Sequence, residues 1–390
     1  MVLGCLTTLI TLLKTELVRL DNYYQRLFEA SNMLDSLNVR ILGCMANVGP
    51  RNLLEVSRRT RIPFTTVYHR VNRLEKRVRR VAQLLPSYSK LGLTCLVVIA
   101  KARPATEEQL ANGLKLPNYW SSVTRCEGGF THHSVQCVPV EYLTGFDRYL
   151  RQLLRNGLVD NLQVVRVGDI IPLNLNFQYY NVTDRTWSFT WDRWFEKLIQ
   201  LKTIKRIDDP VSYARVTDKH DLFIVKELQK NARTRLAGLA RMMGLTLPGV
   251  KYHYDRMVAR GVCKHFWIEV FPCPIEVSAV YDIMLDFPSR ESMNKFFSFL
   301  NSLFFFIDVT KVVGKNSLLV RAHIPEMQVS NMFQFLSQLA SRRALTSYSA
   351  LRLRFETRAS QTISYELFDE KKGWIFDSAK CAAELKRICA

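Results

Sequence analysis

The sequence predicts an α+β chain in which two winged helix-turn-helix domains alternate with two ferredoxin-like βαββαβ domains. Three observations lead there: an internal repeat, a switch of apolar period within each repeat, and positive charge gathered on the same helices of both copies. At an offset of 183 residues, Ile41 and Leu42 fall on Ile224 and Val225, Met45 on Leu228, Val56 on Leu239, Ile62 on Leu245, Val67 on Val250 and Leu74 on Met257. No gap is needed between residues 41 and 74, so one packing problem is solved twice. The 390 residues exceed what a single core holds.

Each copy opens with three short helices, at Leu37 to Met45, Leu53 to Arg59 and Thr65 to Lys76, then again at Asp218 to Leu228, Leu236 to Met243 and Pro248 to Arg260. Apolar residues recur at helical spacing within them, and polar turns (Asn47-Val48-Gly49-Pro50; Asn231-Ala232-Arg233-Thr234) separate the first from the second. In the second copy Gly244 makes the tight turn, Thr246 caps the third helix and Pro248 opens it. Period 2 then takes over. Gly92 to Ala102 reads as a strand, Thr106 to Leu114 as a helix, Trp120 to Cys126 and His132 to Val140 as strands around Gly128-Gly129, Tyr142 to Gly157 as a helix, and Asn161 to Val167 as a strand. The second copy repeats that order: strand Val277 to Leu285, helix Ser289 to Phe304, strands Phe306 to Val313 and Ser317 to Ile324, helix Ser330 to Ser341, strand Ser349 to Phe355. Between the copies Trp187, Trp191, Trp194, Leu198 and Leu201 form one helical stripe, read as a buried seam between domains. At the start, Leu6, Leu9, Ile10, Leu13, Leu17 and Leu20 read as one face of an amphipathic helix. The expected boundaries are an N-terminal helix in 1–36, winged helices at 37–90 and 217–272, ferredoxin-like domains at 91–180 and 273–358, a linker helix in 181–216 and a C-terminal tail at 359–390.

Charge points to a polyanion. Fifty-five Lys and Arg stand against 35 Asp and Glu, a net +20. Residues 51–80 carry +8 and residues 226–264 carry +7, so most of the excess sits on the two helix-turn-helix units, where that motif meets phosphates. Double-stranded DNA is the expected partner. On the third helix of the first copy Val67, Val71 and Leu74 face the core, which leaves Thr65, Thr66, His69, Arg70 and Arg73 outward for base edges. The second copy offers Gly249, Tyr252, His253 and Arg256. Around them Arg58, Arg59, Arg77, Arg79, Arg235, Arg241, Lys251, Arg260 and Lys264 are placed to hold phosphates, which fixes register without reading sequence.

Other chemistries find less support. Cys126, His132, His133 and Cys137 crowd together, as do His253, Cys263, His265 and Cys273, but neither set has paired Cys-x-x-Cys spacing. Strand alternation moreover sends His132 and His133 to opposite faces. No metal and no cofactor is expected. The nine scattered cysteines read as reduced thiols of a cytoplasmic protein, and no apolar run reaches the ~18–20 residues of a membrane helix, so no membrane partner is expected. There is no Gly-rich phosphate loop, no nucleophile elbow and no suggestive pair of carboxylates, so the chain is expected not to be an enzyme.

The order of units resembles the leucine-responsive/asparagine-regulator (Lrp/AsnC) family of bacterial and archaeal transcription factors, here with two tandem modules. Leu53-Leu54-Glu55-Val56-Ser57-Arg58-Arg59 and Thr65-Thr66-Val67-Tyr68-His69-Arg70-Val71-Asn72-Arg73-Leu74-Glu75 look like that family's second and third helices, and 218–260 like the same module again. The likeness covers most of 37–167 and 217–356. It implies a sequence-specific DNA-binding regulator, a small-molecule effector in the ferredoxin-like domains and assembly into homo-oligomers, with two modules in one chain supplying a dimer-like pair internally. Arg61 departs from the family's turn glycine, Arg77-Val78-Arg79-Arg80 replaces the glycine that closes the third helix, and the polar residues that hold an effector are not recognisable. Two alternatives share the fold. Siroheme decarboxylases, relatives of these regulators, use a His-bearing pocket for which His132 or His133 would be the candidates; a winged-helix adaptor would bind only protein.

Overall fold

A computed structural model describes residues 33–77, 82–173, 176–268, 270 and 273–389. Apart from residues 33–36, the expected N-terminal helix lies outside the described residues.

The first helical unit consists of α1 (Ser36–Val48), α2 (Leu53–Thr60) and α3 (Phe64–Arg77). Its ends follow from local chemistry: Asp35 Oδ1 accepts the Asn38 N–H at 2.8 Å, and Asn52 Oδ1 accepts that of Glu55 at 3.1 Å. Ile41, Met45, Val56, Val67 and Val71, all fully buried, form its core. Between α2 and α3 the chain turns at Arg61 in the left-handed region (φ 55°), a conformation that costs a side-chain-bearing residue about 1–2 kcal/mol. The second unit has α7 (Lys219–Lys230), α8 (Leu236–Met243) and α9 (Leu247–Ala259), and there Gly244 makes the same turn at φ 64° without that strain. The expected Thr246 cap is present, accepting the Gly249 N–H. Each third helix leads into a single strand, β1 (Ala82–Leu85) or β9 (His265–Ile268), and the two strands pair with each other, antiparallel, from Ala82↔Ile268 to Leu85↔His265. The wing of each unit is thus completed by the other copy.

Each ferredoxin-like half follows the expected βαββαβ order. The first has β2 (Leu93–Ala102), α4 (Glu107–Lys115), β3 (Trp120–Glu127), β4 (His132–Pro139), α5 (Leu143–Arg155) and β5 (Val159–Val167). The second has β10 (Ser278–Asp286), α10 (Arg290–Phe299), β11 (Phe306–Lys311), β12 (Ser317–Pro325), α11 (Val329–Ser341) and β13 (Ser347–Ser360). With β6 (Ile171–Pro172) they form one antiparallel sheet in the order β5-β2-β4-β3-β13-β10-β12-β11-β6. Because β6 continues the chain just past β5, and Val167 bridges Val312, the sheet closes on itself. Helices cover the outside, and the inner faces of the two halves meet.

Two further segments depart from the expected linker and tail. After β5, a hairpin of β7 (Tyr180–Asn181) and β8 (Thr186–Trp187) leads into α6 (Trp191–Gln200), which lies on α10 and α11 of the other half. Trp194 is buried there beside Tyr179, Phe304 and Phe305, so the tryptophan stripe is an interdomain seam, although Trp187 sits on β8 and not on a helix. The expected tail does the converse. Residues 359–360 finish β13, then come β14 (Phe368–Asp369) and β15 (Gly373–Trp374), and α12 (Ser378–Cys389) packs on α4 and α5 of the first half, with Cys381 and Leu385 buried. Trp374 Nε1 donates to Leu91 O at 2.7 Å, and Tyr119 Oη donates to Ile375 O at 2.7 Å. Residues 359–389 are therefore a second strap. The halves exchange their C-terminal segments, because each ferredoxin-like layer leaves an apolar helix face that its own copy does not cover.

Candidate nucleic-acid interface

The two helix-turn-helix units are pinned to each other. Arg51 Nη1 donates to Ala232 O (2.6 Å) and Thr234 O (3.0 Å), and its guanidinium lies 5.0 Å from the centre of the Tyr254 ring. In return Arg233 reaches Glu75 Oε2 at 2.7 Å and donates to Asn72 Oδ1 at 3.2 Å. Each arginine stands just after the first helix of its unit and binds the other unit's backbone or third helix. Together with the β1–β9 ladder, these contacts give the recognition helices one relative placement.

On α3, Thr65, His69 and Arg73 are exposed along one stripe that continues to Lys76, while Thr66 is half-buried. Arg58 and Arg59 flank it, both paired with Glu55 on their own helix and still largely exposed. On the second unit Arg235, Arg241, Lys251, Tyr252, Arg260 and Lys264 are exposed. Lys251 is bonded to Asp255, and Arg260 donates to Val216 O. Arg77 ends α3 with its side chain not described, and Arg79 lies outside the described residues.

Arg70, His253 and Arg256 do not project as expected. Arg70 Nη1 donates to Asp35 Oδ1 (2.8 Å), Asp35 Oδ2 (2.6 Å) and Asn38 Oδ1 (3.1 Å). Burial alone would raise the Asp35 pKa, yet the Arg70 hydrogen bond holds the carboxyl below its ordinary value. His253 Nδ1 lies 2.8 Å from Asp221 Oδ1, and Arg256 bonds both Asp218 and Asp221. The correction has one cause: helical periodicity assigns a face, but not the carboxylates that the first helix presents to that face. Asp35 and Asp218 cap the first helices, so the signal available in sequence was an N-cap acid one helix away from a recognition cation.

A second polar assembly lies between the inner sheet faces. His133 Nε2 is 2.8 Å from Asp282 Oδ2; Arg321 Nε and Nη2 donate to the two oxygens of Asp282 at 2.7 and 2.8 Å; Asp308 lies 3.6 Å from Arg321. Burial would raise the Asp282 pKa, but Arg321 and His133 hold it well below the carboxylate range, while burial raises that of Asp308. His132 points to the opposite, helix-covered face, as alternation requires, and burial lowers its pKa to about 4. Asp218, His220 and His253 bring ligand atoms within 4.8 Å of one another. The Arg256 guanidinium already bonded to Asp218 occupies the place of a cation there, so the set is an ion-pair cluster.

Comparison with known proteins bears on both assemblies. The profile of the winged helix-turn-helix DNA-binding family matches residues 217–262, the second helical unit. An uncharacterized HTH-type transcriptional regulator of Pyrococcus horikoshii is 28% identical over 137 residues, 33% of this chain and 88% of that protein. A like-named regulator of Pyrococcus furiosus is 28% identical over 123 residues, covering 30% and 76%. Among solved structures, siroheme decarboxylase NirDL aligns with 90% of this chain and 97% of its own at 12% identity and a TM-score of 0.53. That match overturns the expectation that the chain is no enzyme: an enzyme is built on this architecture along nine-tenths of the chain, so the lack of a familiar catalytic motif does not argue against catalysis. The chain is thus homologous over a third of its length to archaeal HTH-type regulators and carries a winged helix-turn-helix DNA-binding domain within an architecture shared with a two-module enzyme.

Proposed function

We propose that the protein is a sequence-specific DNA-binding transcriptional regulator of Lrp/AsnC type, built from two tandem modules, whose helix-turn-helix units engage one duplex as a fixed pair. The observation that carries this reading is the mutual pinning of two basic units by Arg51 and Arg233. Recognition helices must meet grooves at a set separation, and a rigid pair supplies it without a second chain. Arg58, Arg59, Arg235, Arg241, Lys264, Arg77 at the end of α3 and Arg79 beyond it in sequence serve phosphates; exposed Thr65, His69 and Arg73 face the bases. Effector binding to the ferredoxin-like halves and association into homo-oligomers are further parts of the proposal, supported by the family resemblance. Fluorescence anisotropy with labelled duplexes tests it: binding at low salt should weaken steeply as salt rises, because several phosphates shed counterions. No binding at low salt would refute the reading.

One observation favours a second reading. The buried His133–Asp282–Arg321–Asp308 assembly sits in a fold shared with a decarboxylase that was also solved with an iron-uroporphyrin III analogue. If the chain is an enzyme of that kind, adding this analogue should perturb its visible absorption band and His133→Ala should abolish the change. An unchanged spectrum would dismiss it.

A further inference from the structure

We propose that the chain reads DNA asymmetrically: α3, through Arg73 with Thr65 and His69, supplies the base contacts, while the second helical unit holds the same duplex by the charges around α9, so the preferred site is a single half-site and not a palindrome. The proposal rests on the regulator reading and adds to it a class of operator and the residue that decides it.

The repeat offset superposes two small constellations: Asp35 on Asp218, Asn38 on Asp221, Arg70 on His253 and Arg73 on Arg256. In both copies the cap acid of the first helix faces the third helix. In the first copy it takes Arg70. In the second it lies 3.7 Å from His253 and bonds Arg256. The copies part at the neighbouring position. Asp221 is fully buried and needs positive partners, and it draws in both His253 and Arg256. Asn38 is neutral and already engaged: its Nδ2 donates to Met33 O at 2.9 Å and its Oδ1 accepts from Arg70. It has no charge with which to hold a second guanidinium. Arg73 is consequently left exposed, with no ion pair or hydrogen bond among the described residues. Arg256 is three-quarters covered and doubly bonded to carboxylates.

The rest of the two outward faces agrees. Thr65, His69, Arg73 and Lys76 in the first copy stand where the second has Pro248, Tyr252, the clamped Arg256 and Ala259. Three hydrogen-bonding groups beside a free guanidinium match the donor and acceptor pattern of a major groove. Proline, alanine and a tethered arginine do not. Besides Tyr252, whose lone hydroxyl is the one exposed hydrogen-bonding group of that set, the second unit keeps open Lys251, paired with Asp255, and Arg235, Arg241, Arg260 and Lys264 around its rim, which suits phosphates. For Arg256 to reach a guanine it would have to abandon the buried Asp221 carboxylate, leaving that charge with His253 alone. Arg73 has nothing to abandon.

The test uses the full chain, a random 30-base-pair duplex library for enrichment, and anisotropy on the enriched duplex beside an unselected control duplex. The enriched motif should be one non-palindromic element. Arg73→Ala should weaken binding to the enriched duplex by about 5- to 150-fold, the worth of one bidentate pair, with a change of less than about threefold on the control. Tyr252→Ala should change the two duplexes equally. Asn38→Asp should draw Arg73 inward and reproduce the Arg73→Ala loss, whereas Asp221→Asn together with Asp218→Asn, which removes both carboxylates, should release Arg256 and add a second element to the enriched motif. Circular dichroism of each variant separates these effects from misfolding, and Asn keeps the shape of both aspartates and can still cap α7 at position 218. A palindromic motif from the wild type, or a loss of selectivity in Tyr252→Ala as large as in Arg73→Ala, overturns the asymmetry while leaving DNA binding intact. Failure to bind either duplex overturns the regulator reading, and the asymmetry with it.

Discussion

Lowering the pH from 7.5 to 4.5 should destabilise the protein through two buried histidines. His132 and His323 are both fully covered, and burial lowers their pKa values to about 4 and about 3. An unfolded histidine titrates near 6.5, so on acidification the unfolded chain takes up protons before the folded one does. The sign follows: stability is complete above about pH 6.5 and declines until the folded-state pKa values are reached. At pH 4.5 each histidine stands about two units below its unfolded pKa, and at about 1.4 kcal/mol per unit the loss is roughly 2.5 kcal/mol each, or about 5 kcal/mol together. Burial lowers the His265 pKa too and works in the same direction. Asp282 does not act in this window, because a carboxyl with a depressed pKa loses its contribution only below about pH 4. Urea unfolding followed by far-ultraviolet circular dichroism at both pH values measures the change. A His132→Gln/His323→Gln double variant should lose about 5 kcal/mol less than the wild type over the same interval. Parallel losses in the two proteins would refute the assignment.

Trp194→Ala should lower stability by about 3–5 kcal/mol in urea unfolding, since it empties the centre of an aromatic cluster that nothing nearby can refill. Asp282→Ala should cost a similar ~3–5 kcal/mol, because Arg321 keeps its buried charge and loses a two-point partner; unchanged stability would show that the inner assembly is not ionic. Arg233→Ala should loosen the two helical units, seen as faster hydrogen exchange in α3 and α9, and weaken all duplexes together. Lys264→Ala should flatten the slope of log affinity against log salt by about one unit on any sequence.

The helical units were legible because their apolar positions recur without insertion from 41 to 74, and the strands because each carries its own period of two and its own turn residues. Val56 and Leu239, or Val67 and Val250, occupy the same core place and are buried in both copies. The straps were not, for a definite reason. In them the offset changes: Tyr180-Asn181 falls on Phe368-Asp369 at 188, and Trp187 on Trp374 at 187, and the helix that carries Trp191 and Trp194 in one copy carries Ser378 and Cys381 in the other. A search held at 183 passes over them. Which surface a strap covers depends on contacts between distant halves and leaves no periodic mark. The same limit explains the recognition helices. Periodicity correctly left Arg73 outward and could not see that Asp218 and Asp221 turn Arg256 aside.

The exchanged straps interlock two halves, neither of which is complete alone. A fragment ending near residue 205 would carry α6 with no surface to lie on and would leave α4 and α5 bare of α12, so it could satisfy itself only by embracing another such fragment. Joining the halves in one polypeptide replaces that encounter with a tethered one, at an effective concentration in the millimolar range for a short connection, so the arrangement survives dilution that would part free chains. It also settles which half meets which. A self-pairing surface has to be compatible with a copy of itself, but here each half faces only the other, and a substitution such as Asn38 opposite the role of Asp221 can persist on one side alone.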